Sequence, residues 1–412
     1  MNKVIIYLMM IHLLISLSGQ ADAGELDNYI NALSNKGVEP SAYVLDKLSD
    51  HDLIIFDDAL HTAVRPFEFY AELISNPEFS SMAGYIFLEV VAVNQQPALD
   101  SYLESEPEDL TLLYPAFQND FSGRGWPYKT YFDLIRAVRE VNSELPEEQK
   151  LRVIAVNAPE YWEKIETPRD LELFRLSLSG NDYTMYRIIS SYMKEFRSGI
   201  KGIFLTNTRH AYKGIKDSAG DYYLNCGTFF HLRHPGRTFS IRLHNITLSL
   251  KKKRDTSPET ARSTEGLENL VIEWTRMENG LWDRAFREFG NRPVALDLEG
   301  TPFGKALYTG NHMLNAEEGQ TIYDAYDGLI FLGPLEGARR TAMVDFIYTG
   351  KFKMELSRRI KILYNQEQLN TLLEKNGYNS VEEYIEKEYT YQPEIPEPLV
   401  EEIEPLNYPE KE

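Results

Sequence analysis

Short apolar runs recur along the chain, separated by longer segments whose apolar positions fall three and four residues apart. The runs are Leu53–Phe56, Tyr85–Val91, Leu151–Val156, Ile203–Leu205, Phe239–Leu243, Pro293–Leu298 and Gly328–Leu332. Helical periodicity marks the intervening segments, most clearly Tyr131–Val141 and Tyr183–Phe196. Strands that alternate with helices predict an α/β fold: a mainly parallel central sheet flanked by helices. The stretch from about 250 to 320 is more polar and carries helix-compatible patterns around Leu267–Met277 and Trp282–Phe289. It is expected to be a partly helical insertion or cap over the sheet.

Both ends of the chain depart from this alternation. Residues 1–23 begin Met-Asn-Lys, continue as an apolar stretch from Val4 to Leu17, and close on Ala21-Asp22-Ala23. That is the layout of a secretory signal peptide, and it predicts a periplasmic or secreted protein with no integral membrane span after cleavage. Residues 24–388 would form the α/β domain. The tail from Tyr389 to Glu412 holds five Pro and seven Glu against one Lys, a composition that cannot build a packed element.

Charge narrows the partners. The formal net charge is −20, and removing residues 1–23 takes one Lys and one Asp and leaves it unchanged. Such a chain repels nucleic acid and anionic lipid, so no nucleic-acid partner is expected. The single basic run, Lys251 to Arg254, precedes Asp255-Thr256-Ser257-Pro258 and reads as a solvated loop. Cys226 is the one cysteine, which excludes an intrachain disulfide and a thiolate zinc cluster. A small-molecule or peptide substrate remains. Oligomeric state is not encoded in any pattern found.

The carboxyl ends of the expected strands are polar. Ile54-Ile55-Phe56 runs into Asp57-Asp58, and His61 follows. Glu89 interrupts an otherwise apolar run. Later strands end at Asn157-Ala158-Pro159, at Asn207 and His210, and at His244-Asn245. Ligands of open α/β sheets bind on this rim. Asp58 also has the character of a helix N-cap, and a lone histidine is more often structural than catalytic. Glu89 is harder to dismiss, because a carboxylate within a central strand persists only when paired.

In this order and spacing the residues resemble the erythromycin esterase-like proteins and their wider relatives, the ChaN-like haem-binding lipoproteins and the TraB/TIKI-type metalloproteases. The esterase group opens with Gly-Glu-x-x-His after its first strand, where this chain has Asp57-Asp58-Ala59-Leu60-His61. Glu89 matches a strand Glu. Arg139-Glu140-Val141-Asn142 matches a helix ending in Arg-x-x-Asn, and Asn157-Ala158-Pro159 matches the next strand end. Asn181-Asp182-Tyr183-Thr184-Met185 stands for Arg-Asp-x-x-Met, and Asn207-Thr208-Arg209-His210 for His-Asn-x-His. Three departures are plain: Gly-Glu is Asp-Asp, the Arg before Asp182 is Asn181, and the first His of the last motif is missing.

The resemblance implies a hydrolase of an ester or lactone, with His61 as general base and Asp58 or Glu89 orienting it. His210 would donate to the oxyanion, and Arg65, Asn157 and Asn207 would bind substrate; no cofactor would be needed. Its relatives and the altered motifs leave three alternatives. One is a divalent metal site (Zn, Mn or Fe) on Asp58, His61, Glu89 and His210 that cuts a peptide bond. Another is a haem- or iron-binding protein, and the last is an inactive binding protein.

Overall fold

The computed structural model describes residues 24–195, 201–252, 270–308 and 316–389. The expected leader, and the tail beyond Tyr389, lie outside the described residues. No helix among them is long and apolar enough to cross a membrane.

Nine strands are described: β1 (Leu53–Asp57), β2 (Ala83–Ala92), β3 (Arg152–Asn157), β4 (Lys201–Thr206), β5 (Thr238–Leu243), β6 (Thr247–Lys252), β7 (Leu270–Thr275), β8 (Val294–Asp297) and β9 (Gly328–Phe331). Seven form one sheet in the order β3-β2-β4-β1-β5-β9-β8, and β6 pairs with β7 as a separate ribbon. Every neighbouring pair in the main sheet is parallel except β8 with β9 at the edge. All five residues of β1 are buried, as a continuous apolar run in a sheet covered on both faces requires. Ile54 and Phe56 face one core, with Phe67, Tyr70 and Ile135 from the helices Val64–Ser75 and Lys129–Glu144. Leu53 and Ile55 face the other, with Met185, Phe230 and Trp282.

All seven runs read from the sequence are strands of this sheet. Two expectations change. The segment around Leu267–Met277 is not a helix: its described part is strand β7, paired antiparallel with β6. Its apolar positions lie in the hairpin ribbon, and local propensity yields to that pairing. The basic run is likewise not all loop, because Lys251 and Lys252 end β6 opposite Val271 and Leu270. The helix around Trp282–Phe289 is present as Leu281–Glu288. Within the range read as a cap, Val294–Asp297 forms the edge strand of the main sheet.

The motif residues Arg139 and Asn142 are structural pins. Asn142 exchanges both amide hydrogen bonds with the backbone of Leu151 at the entry to β3, at 2.9 and 2.7 Å. Arg139 Nη1 donates to the carbonyl of Tyr102 at 3.2 Å.

Candidate active site

Strand ends deliver the polar residues to one rim. Between β1 and the helix Val64–Ser75 lies a turn in which Ala59 has φ +58°, a left-handed conformation unfavourable for a residue with a Cβ. Asp57 Oδ1 fixes the turn by accepting from Ala59 N–H at 2.8 Å. Asp58 therefore caps no helix. The helix begins at Val64, with Ala63 at its N-cap position. Instead Asp58 Oδ2 lies 3.1 Å from His61 Nδ1. Glu89 occupies an irregularity of β2, whose register with β3 shifts between Leu88 and Ala92. Such a bulge re-aims a side chain. Asn207 and His210 stand at the start of the short helix Thr208–Ala211 after β4.

The result is a chain of alternating acids and imidazoles. Asp58 meets His61 Nδ1. His61 Nε2 is 3.5 Å from Glu89 Oε2, and Glu89 Oε1 is 3.2 Å from His210 Nε2. His210 Nδ1 is 2.7 Å from Asp182 Oδ1, which also accepts Cys226 N–H at 2.7 Å. Glu89 is steadied by the Thr206 hydroxyl and by Asn207 N–H at 3.1 Å. Asn207 Oδ1 caps its helix by taking Arg209 N–H at 2.8 Å, so its Nδ2 faces His61 Nε2 at 2.9 Å. An amide donor there fits the neutral imidazole with its lone pair on Nε2 and its proton on Nδ1, toward Asp58.

Burial and charge compete throughout this chain. Burial raises the Asp58 carboxyl to about 6, against the pull of His61. For His61 burial works downward, yet the charges of Asp58 and Glu89 carry it well above the ordinary histidine value. Glu89 is the reverse. Burial pushes it up, but His210 and His61 hold it well below the carboxylate range. At His210 burial again works downward, and Glu89 together with Asp182 raises it to about 10. His210 is thus an imidazolium with both N–H groups engaged by carboxylates. To donate to an oxyanion it must release Glu89.

Other expected residues fall elsewhere. Asn157 is buried at the end of β3 and donates to Glu160 Oε1 at 3.0 Å. Arg65 Nη1 donates to the carbonyl of Pro334 at 2.6 Å. A Cβ on Gly333 or Gly337 would stand 2.7 or 2.6 Å from its guanidinium, so the loop after β9 is shaped to hold it. That loop then lies beside the His61 turn, where Thr341 N–H donates to Thr62 O at 2.7 Å. The contacts of Arg65 are thus with this loop, not with the His61–Glu89 pair.

Asp182 carries weight that the sequence motif only hinted at, since it orients His210. Tyr131, whose hydroxyl is 3.1 Å from His61 Nδ1, and Trp126, whose ring centroid is 5.6 Å from that of His61, escaped sequence reading. Their position in an aromatic-rich helix and loop gives no separate signal. A polar cavity of about 550 Å³ lined by Lys213, Lys216, Tyr222, His231 and Tyr323 shares no residue with this centre.

Among the described residues no group of three or more His, Cys, Asp or Glu has the geometry to hold an ion. The Asn207 amide nitrogen confronts the His61 nitrogen that would ligate.

No family model matches the sequence, and no curated protein matches it. Solved structures do. One described as a succinoglycan biosynthesis protein shares 11% identity at a TM-score of 0.51, over 76% of this chain and 98% of that one. A protein from Bacillus cereus shares 11% identity at 0.50, over 77% and 98%. An erythromycin esterase mutant in its open conformation aligns at 10% identity and a TM-score of 0.45, over 70% and 92%. The first two overlays establish a common α/β fold. Class is fixed at that level, and chemistry must come from the rim.

Proposed function

We propose that the chain is a hydrolase that attacks an ester or lactone with a water activated by His61. The observation that carries this is the Asp58–His61–Glu89–His210–Asp182 chain on the carboxyl rim of the sheet. Each imidazole lies between carboxylates at 2.7 to 3.5 Å. Asp58 holds the proton-bearing Nδ1, and Nε2 takes a proton from water once the Asn207 amide that faces it turns toward the oxyanion. The imidazolium so formed is stabilised by Asp58 and Glu89. In the tetrahedral intermediate the developing oxyanion draws on Asn207 Nδ2–H and on the charge of His210.

A panel of p-nitrophenyl esters and of five- to fourteen-membered lactones, assayed with the mature chain and with Glu89→Gln, tests the reading. Turnover that Glu89→Gln suppresses supports it. No turnover across the panel would return the chain to a binding role.

A further inference from the structure

The loop from Asp120 to Gly125 is built around a buried carboxylate. Asp120 Oδ1 accepts Gly125 N–H at 2.8 Å, Oδ2 accepts Ser122 N–H at 3.1 Å, and its carbonyl accepts Trp162 Nε1–H at 2.8 Å. Gly123 has φ +74°, and a Cβ there would stand 2.5 Å from the Trp162 ring, so the loop is pressed onto that indole. A loop tied down at so many points nonetheless holds Phe121 outward, 49% exposed. The Phe121 centroid is 6.1 Å from that of Trp126, which in turn lies edge-on to His61. Trp126 Nε1 is buried and has no hydrogen-bond partner among the described residues.

A phenylalanine held half-open by a fixed loop loses little freedom on contact with a ligand. Binding sites are lined mainly by apolar and aromatic side chains around a few polar groups, and Trp126 with Phe121 behind it supplies an aromatic side next to His61.

We propose that Phe121 and Trp126 form the specificity wall of this site, so that the substrate presents an uncharged aryl or branched alkyl group next to its scissile carbonyl. This rests on the hydrolase reading for the scissile bond, but not for the wall itself.

The test needs no turnover. 4-(4-Fluorophenyl)-2-butanone has one aryl group, one carbonyl and no hydrolysable bond, and its binding is followed by ¹⁹F NMR. 2-Butanone, competed against it, is the comparator without the ring. The wild-type chain is expected to bind the aryl ketone more tightly than butanone. Phe121→Ala, an exposed position whose melting temperature serves as the folding control, should weaken aryl binding about tenfold and leave butanone unchanged. Trp126→Ala, with its melting temperature as folding control, should likewise weaken aryl binding and leave butanone unchanged. Equal aryl affinity in wild type and Phe121→Ala, or no preference for the ring, overturns the proposal. Failure of the ester panel with intact aryl binding would sink the hydrolase reading alone.

Discussion

His210 Nε2 stands 3.2 Å from Glu89 Oε1, while the other nitrogen of the same ring is 2.7 Å from Asp182. The imidazole is clamped between two acids and cannot turn. Glu89 is therefore held ionised on one side by a cation, and on the other side it faces His61. One carboxylate couples the two histidines, so a change at either is felt by both.

Removing the imidazole tests the assigned base. His61→Ala should lower turnover of a confirmed ester by about 10²- to 10⁴-fold, the range that general base catalysis supplies. Circular dichroism and the melting temperature should show a folded chain, because His61 lies at the rim and not in either core.

Asp182 acts through His210. Asp182→Asn keeps the shape and removes the charge that helps raise His210, so the His210 value should fall. Histidine ¹⁵N shifts followed across pH would detect this directly. An unchanged titration would mean that Asp182 only anchors Cys226 N–H.

The activity profile has a definite sign. His61 must be neutral to take a proton, and its neighbours push its value well above 6.5. The rate should therefore climb with pH on a limb lying above 6.5. Glu89→Gln removes one raising charge and should move that limb to lower pH while lowering the plateau. A wild-type limb centred below 6 would contradict this assignment.

Stability follows from linkage. The folded value of His210, about 10, exceeds its unfolded value of 6.5, so its contribution is complete below pH 6.5 and is lost as pH rises through 10. Glu89 is depressed, so its contribution is present above its unfolded value and lost as acid protonates it. The melting temperature should fall between pH 7 and 10, and His210→Asn should flatten that fall.

Asp57 occupies the position where the resembling family has Gly. Its carboxylate accepts the Thr208 hydroxyl at 2.8 Å and the Tyr326 hydroxyl at 2.6 Å, and lies 3.7 Å from the buried Arg242 guanidinium. It thereby ties the His61 turn to the helix bearing His210. Asp57→Ala strands Arg242 and should cost about 3–5 kcal/mol in chemical denaturation, the usual penalty for an orphaned buried charge.

The sheet was legible because its strands are buried on both faces and read as unbroken apolar runs. Leu270–Thr275 was not, since an apolar-rich segment of that length carries no period that separates helix from ribbon strand. Asp58, His61, Asn207 and His210 were found as polar strand ends and Glu89 as an acid within an apolar run, and the structure brings all five together. The Arg65 contact was not legible because its partner, Pro334, lies 269 positions away. Phe121 and Trp126 were invisible for a different reason: in a chain with 46 Phe and Tyr residues, one more aromatic reads as core.

In the proposed reaction His61 activates water without a metal. The most direct measurement is the hydrolysis rate of one confirmed ester by wild type and His61→Ala, each before and after exhaustive chelation. The wild-type rate should survive chelation, and the His61→Ala rate should stay near background. A wild-type rate that collapses on chelation and returns with Zn, Mn or Fe would contradict it, as would a His61→Ala variant that keeps its full rate.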